Sequence, residues 1–261
     1  MIESNIREII LSHVHQGGNL ILLLDYDGTI QPIADTPEQA IPDEALLELL
    51  AKLSQNRHFR VGIISGRPLR VLKNWLPFPN FILAGIYGAE IMIEGKVILR
   101  GFSEDRCRLI INEIKEKWGN LFFKRRGFLL EDKGFAIALH ARWADNEEAS
   151  LVLDAARNMV MDLINPDQFK LIDGNKFLEV APSSANKGLT VDWLLTQLSL
   201  KDELPIYFGD DNKDEEAFLV IRRWGGFSIA VGNNYPLLQA DEHLASPDNV
   251  RAWLAAISSQ E

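Results

Sequence analysis

Residues 22–30 read LLLDYDGTI: an apolar run leads straight into Asp25 and Asp27, with Gly28 and Thr29 close behind. Paired carboxylates at the end of a buried-looking strand point to chemistry rather than packing. Three distant stretches supply complementary groups. "IISGR" ends in Ser65, Gly66 and Arg67, Lys187 heads a helical pattern, and "IYFGDDNKDE" carries Asp210, Asp211 and Asp214. Crowded carboxylates repel, so their coexistence points to a bound cation. All-oxygen ligation suits Mg²⁺, which keeps several waters and also accepts a phosphate oxygen. Asp25, Asp27 and Asp210 are the expected direct contributors, Asp27 through its carboxylate or its carbonyl. Ser65 and Lys187 offer a hydroxyl and a cation to an anionic oxygen, and the set describes a phosphate site.

These groups need a scaffold that brings them to one edge. "NLILLLD" is short and continuously apolar, as a parallel-sheet strand is, and "FRVGIIS", "FILAGI", "PIYFGDD" and "FSIAV" read alike. Amphipathic helices are predicted over 2–15, stopped by Gly17 and Gly18, and over 43–56, 68–76, 187–198 and 213–223, with one more at the C-terminal end. This β-α-β order favours a parallel sheet with crossover helices. In such sheets ligands bind beyond the carboxyl ends of the strands, where Asp25, Ser65 and Asp210 all fall. Between residues 102 and 180 the pattern changes. A hairpin around Glu94-Gly95 leads into a helix over 104–118. A strand pair over 127–141 turns at Lys133-Gly134, and a helix over 145–163 precedes a hairpin turning at Asp173-Gly174. The expectation is an α/β core from residues 1–101 and 181–261, with an inserted α+β domain over 102–180.

Composition bounds the partners. The 261 residues include 27 basic and 37 acidic ones, a formal net charge of −10, which argues against wholesale binding to nucleic acid or an anionic membrane. A small anionic substrate needs a local cation instead. The one cysteine, Cys107, excludes an intramolecular disulfide. With no signal-like N-terminus and no apolar run of membrane length, the expectation is a cytoplasmic monomer.

Four motifs in order, "DYDGT", Ser65, Lys187 and "GDDNKDE", resemble the haloacid dehalogenase superfamily of phosphohydrolases. The stretches "LLLDYDGTIQPIADTPEQA", "LAGIYGAEI", "GFLLEDKGFAIALHARWAD" and "KFLEVAPSSANKGLTVDWLL" are similar, more narrowly, to the trehalose-6-phosphate phosphatase family. The resemblance implies a Rossmann-like core with a mobile cap of the C2 type, Mg²⁺ dependence and an aspartyl-phosphate intermediate. It makes Asp25 the nucleophile and Asp27 the general acid and base. Gly28, Thr29, Ser65, Gly66 and Arg67 would bind phosphate, with Lys187 completing the catalytic set. Asp210, Asp211 and Asp214 would join Asp25 and Asp27 around the metal, Asp211 and Asp214 directly or through metal-bound water and Lys187. Glu131, Lys133 and Arg142 of the cap would contact the sugar when the cap closes. One departure stands out: the family's G-x-H-G is here Gly85-Ile86-Tyr87-Gly88, which leaves the exact sugar phosphate open. Glucosylglycerol, mannosylglycerate and sucrose phosphates, a phosphomutase reaction, and a silent sugar-phosphate sensor are the rival readings.

At single residues plainer roles compete. Ser65 and Arg67 could cap a helix, and Glu131 and Lys133 could be a solvated pair beside a turn. His140 and Cys107 read as packing residues, and Trp75, Trp118, Trp193 and Trp224 as core or interdomain aromatics.

Overall fold

The computed structural model describes residues 6–198, 203–232 and 240–258, so the start of the first predicted helix lies outside the described residues. In chain order the elements are α1 (Ile6–His15), β1 (Asn19–Leu24), α2 (Glu44–Gln55), β2 (Phe59–Ile64), α3 (Leu69–Trp75), β3 (Ile82–Gly85), β4 (Glu90–Ile93) and β5 (Lys96–Leu99). There follow α4 (Glu104–Leu121), β6 (Leu129–Asp132), β7 (Ile137–His140), α5 (Asn146–Met161), β8 (Phe169–Gly174) and β9 (Phe177–Pro182). The last are α6 (Lys187–Leu198), β10 (Glu203–Gly209), α7 (Glu215–Arg223), β11 (Phe227–Val231), β12 (Glu242–Leu244) and α8 (Pro247–Ser258). The chain divides into two compact units, residues 1–97 with 186–261, and residues 98–185. Among the described residues no helix is long and apolar enough to cross a membrane.

The first unit is built on a sheet of order β12-β11-β10-β1-β2-β3-β4-β5. The pairs from β12 to β3 are parallel, and β4 returns antiparallel to β3. Strand β1 is apolar and buried from Leu20 to Leu24 because both its faces are covered. Leu20, Leu22 and Leu24 pack with residues of α1, α2, α3 and α8, while Ile21 and Leu23 pack with α6 and α7. Period-2 alternation of side chains sends successive leucines to opposite layers. Asp43 starts α2 by accepting the Leu46 amide at 2.7 Å. The short strand β12 was not legible as one, since Glu-His-Leu has no apolar run to mark it.

The second unit has a four-stranded sheet, β6-β7-β9-β8, antiparallel throughout, with α4 and α5. Trp118 of α4 is fully buried, and its indole N–H donates to the Ala156 carbonyl of α5 at 3.0 Å. Cys107 is buried and gives its thiol to the Phe135 carbonyl. The last hairpin corrects one expectation. Asp173 and Gly174 belong to β8, with Gly174 opposite Phe177, and the chain turns at Asn175-Lys176, where Lys176 has φ 51°. Asp173 is instead fixed by an ion pair with Arg157 of α5, a partner invisible to a turn rule. Trp224 is likewise no core aromatic: it is 37 % exposed and donates to Asp192.

Removing side-chain volume from the middle layer should be felt where the sheet is covered on both faces. Leu22→Ala should cost about 2–5 kcal/mol of stability, whereas Leu219→Ala, on an exposed face of α7, should stay within about 0.5 kcal/mol. Urea titrations followed by tryptophan fluorescence would check the contrast.

Candidate active site

The strand order places β10, β1 and β2 side by side, so the residues that follow them meet at one carboxyl edge. Asp25 leaves β1 with its amide still bonded to the Phe208 carbonyl of β10 at 3.0 Å. Its carboxylate is buried, and Oδ1 lies 2.9 Å from Lys187 Nζ. Lys187 is the first residue of α6, is itself buried, and donates to Asp214 Oδ1 at 2.7 Å.

Asp214 is the hub of this cluster. Its Oδ1 also accepts the Tyr207 hydroxyl at 2.5 Å, and its Oδ2 accepts the backbone amides of Asp210 and Asp211, each at 3.1 Å. Four donors engage the two oxygens, so Asp214 orients Lys187 and the 210–211 turn. Tyr207 was missed in the sequence, hidden at an inward position of an apolar strand. Asp211 faces Lys213 and lies 4.0 Å from Lys187.

Thr29, fully buried, stands between two acids: its hydroxyl is 3.3 Å from Asp25 Oδ2 and 3.4 Å from Asp210 Oδ1. Gly28 has φ 83°, and a Cβ there would come within 2.0 Å of Asp210 Oδ2. Only glycine tolerates both conditions. The close approach expected toward phosphate is, in the protein alone, an approach to Asp210, and the Gly28 amide donates to the Gln31 carbonyl at 2.7 Å. Ser65 is buried beyond β2. Its hydroxyl oxygen accepts the Arg67 amide at 3.2 Å, which leaves the hydroxyl proton to give. Arg67 engages a carboxylate of the same edge: its Nε and Nη2 grip both oxygens of Asp27, at 2.8 and 2.7 Å.

The segment after β3 is strained. Ile86, Tyr87 and Gly88 are consecutive left-handed residues with φ 49°, 54° and 90°, a costly conformation for a β-branched residue. It is held by Ile86 N–H to the Arg67 carbonyl, Tyr87 N–H to the Ser65 carbonyl, both 2.8 Å, and the Thr190 hydroxyl on the Tyr87 carbonyl. The Tyr87 ring lies against Gly66, where a Cβ would sit 2.7 Å from the ring, and Lys213 stands over it. Tyr87 is therefore a packed wall of the Ser65-Gly66 turn.

Oxygen atoms of Asp25, Asp210 and Asp214 can all lie within 4.8 Å of one another. With the Asp214 oxygens engaged, Asp25 and Asp210 are the acids best able to face a cation. Burial, and the negative charges of Asp210 and Asp211, push the Asp25 carboxyl well above its ordinary range against the pull of Lys187. Burial raises Asp210 to about 6. Burial raises Asp214 to about 7, with Lys187 opposing the shift. For Asp211, burial is outweighed by Lys187 and Lys213, and its carboxyl falls to about 2. Burial disfavours the charged form of Lys187 too, but Asp214 and Asp25 outweigh it and hold it an ammonium. A cluster whose acids resist ionisation until another cation arrives fits a divalent metal.

The second unit carries its own polar cluster. Glu131 of β6, Ala138 of β7 and Glu179 of β9 are cross-strand neighbours in one row. Ala138 leaves room between the two acids for the Lys133 ammonium, which is 2.9 Å from Glu179 Oε1 and 4.0 Å from Glu131 Oε2. Glu131 also pairs with His140 Nε2 at 3.0 Å. Lys133 is 5 % exposed and Glu179 fully buried, which rules out a solvated pair beside a turn. Glu179 was missed, although a lone acid inside "FLEVA" was a signal. Arg142 is exposed, two residues beyond β7.

A family model described as trehalose-phosphatase matches residues 23–236. A probable trehalose-phosphate phosphatase from Sinorhizobium fredii is 30% identical, over 92% of this chain and 88% of its own. A trehalose 6-phosphate phosphatase from Zea mays is 28% identical over 94% and 72%. Among solved structures, a trehalose-6-phosphate phosphatase of Aspergillus fumigatus superposes with a TM-score of 0.67 at 25% identity, covering 98% of both chains. The C-terminal domain of the Candida albicans enzyme reaches 0.81 at 23%, over 98% and 97%, a likeness of fold.

Because Asp210 takes up a proton below about pH 6, protons should compete with metal there. Mg²⁺ affinity, measured by calorimetry, should weaken several-fold from about pH 7.5 to about pH 5.5. Asp210→Asn should bind Mg²⁺ more weakly at both values, while Asp25, also raised, keeps part of the pH dependence.

Proposed function

This chain belongs to the trehalose-phosphatase family, and from that premise we propose that it hydrolyses trehalose 6-phosphate to trehalose and phosphate through an aspartyl-phosphate on Asp25, with Mg²⁺ as cofactor. The observation that carries the reading is the buried Asp25 carboxylate, held 2.9 Å from the Lys187 ammonium and beside Asp210 and Thr29. A carboxylate so placed is oriented by fixed donors and shielded from bulk water, as an attacking group must be.

Asp25 attacks phosphorus in line, while Asp27 protonates the departing sugar oxygen and then accepts a proton from the water that cleaves the intermediate. Asp25, Asp210 and the Asp27 carbonyl would hold Mg²⁺, which supplies charge neutralisation and orients the phosphoryl group. Lys187 offsets the charge of the phosphoryl oxygens, and Ser65 gives its hydroxyl proton to one of them. Phosphate monoesters are among the slowest substrates to hydrolyse unaided, so such positioning carries most of the catalysis.

For the sugar, the row of Glu131, Lys133 and Glu179, with His140, offers charged donors and acceptors already fixed in space. Arg142 is proposed with them. Such groups pair well with sugar hydroxyls and penalise a substrate that leaves them unpaired.

Asp25→Asn should lower turnover by orders of magnitude with the fold intact, as read by phosphate release and circular dichroism. Asp27→Asn should slow both half-reactions. For the sugar, Glu131→Gln is a cleaner probe than loss of Lys133, whose removal strands a buried Glu179 charge. It should cut kcat/KM for trehalose 6-phosphate by more than for a small phosphate ester. Equal losses on both would remove Glu131 from sugar recognition.

A further inference from the structure

The turn that carries Gly28 and Thr29 is closed from within by its own backbone. The Gly28 amide donates to the Gln31 carbonyl, and the Ile30 and Gln31 amides donate to the Tyr26 carbonyl at 3.1 and 2.9 Å. It is also held from outside. Arg251 of α8 donates through Nε to the Ile30 carbonyl at 2.8 Å, through Nη2 to Gln31 Oε1 at 2.7 Å, and through Nη1 to Asp43 Oδ2 at 2.6 Å. Asp43 caps α2, and Gln31 Nε2 reaches on to the Ile41 carbonyl at 3.2 Å. One guanidinium thus joins the turn to the start of α2 and to the last helix. Its root is firm. Val250, Trp253 and Leu254 of α8 are buried, and the Trp253 ring meets Phe208 of β10 edge-on, with 5.2 Å between centroids. The Arg251 side chain is 16 % exposed.

At the site, this turn seats Asp210. The Asp210 carboxylate lies so close over Gly28 that no Cβ would fit, and the Thr29 hydroxyl reaches both Asp210 Oδ1 and Asp25 Oδ2. The backbone of the turn therefore sets where the two acids stand relative to one another. An exposed ion pair such as Arg251 with Asp43 contributes little by itself. A planar fork shared among three acceptors differs, because it fixes position and plane together, which a single ammonium cannot do. We infer that Arg251 is a positioning residue for the cation site: it holds the 26–31 turn in the shape that seats Asp210 against Gly28 and Thr29, and so presents Asp210 and Asp25 together to Mg²⁺. This rests on the reading of Asp25 and Asp210 above. Arg251 acts through the turn.

The consequence is a binding signature. Mg²⁺ demands near-ideal placing of its oxygen ligands, so a turn free to shift weakens binding even in a protein that stays folded. Losing a group bonded directly to a metal ligand costs about tenfold to a hundredfold in affinity, and Arg251 stands one step further out.

The test is calorimetric titration of the whole protein with Mg²⁺, at a temperature where thermal unfolding shows every variant folded. Arg251→Met should weaken binding about threefold to tenfold. Arg251→Lys, which keeps the charge and reaches one acceptor, should recover part of the loss. Gln31→Met, which severs one arm and leaves the arginine in place, should weaken binding by less. Thr29→Val should weaken it too, and adding Arg251→Met to Thr29→Val should cost less than Arg251→Met costs the parent, because both act on the seat of Asp210. A role confined to stability would lower the melting temperature and leave Mg²⁺ affinity where it was. Parental affinity in folded Arg251→Met and Gln31→Met would therefore overturn the positioning role, as would strict additivity of Arg251→Met with Thr29→Val. Asp210→Asn separates this role from the reading beneath it. Parental affinity in Asp210→Asn would overturn Asp210 as a ligand, and the positioning role with it. Weakened affinity there beside parental affinity in the arginine variants would overturn the positioning role alone.

Discussion

The buried Lys187 ammonium is the constraint on which the site depends. An unpaired charge at that depth would cost several kcal/mol, and this one is compensated by Asp25 at 2.9 Å and Asp214 at 2.7 Å. The pairing works both ways. Asp25, buried and beside Asp210 and Asp211, is pushed toward its protonated form, and the ammonium pulls against that shift. Asp214, saturated by Lys187, Tyr207 and two backbone amides, ties the start of α6 to the turn after β10. The placing of the Asp25 carboxyl and the shape of the turn after β10 therefore derive from one ionic knot.

Around this knot the carboxyl edge of the parallel sheet is divided by charge. On one side Asp25 and Asp210 share the Thr29 hydroxyl. On the other, Asp27 is drawn off by Arg67. Two aspartates separated by one residue would share a face in a continuing strand, but β1 ends at Leu24 and the chain turns through Gly28 at φ 83°, so the two enter different environments. That separation suits the roles proposed for them, one carboxylate attacking while the other moves protons.

The sequence made much of this legible, for identifiable reasons. The apolar strands end where the motifs begin, and a parallel sheet collects such ends at one edge, so Asp25, Ser65, Lys187 and Asp210 could be grouped before any coordinates. Helix α2 was marked by its Asp43 cap and amphipathic spacing. What escaped were pairings set by tertiary contact. Tyr207 reads as one more apolar strand residue, and only the fold aims its hydroxyl at Asp214. Arg67 sits in a phosphate-like motif, yet Asp27 is its partner, forty positions away. Glu179 was masked by its apolar neighbours, and Asn175-Lys176 took the turn that Asp-Gly chemistry had claimed.

The central claim is that Asp25 attacks phosphorus and is then displaced by water, so that each turnover comprises two in-line displacements. The stereochemical course tests this most directly: trehalose 6-phosphate made chiral at phosphorus with oxygen isotopes, hydrolysed in isotopic water, and the released phosphate analysed for configuration. Two displacements predict overall retention. Inversion would mean that water attacks the substrate directly, and would contradict Asp25 as a covalent nucleophile.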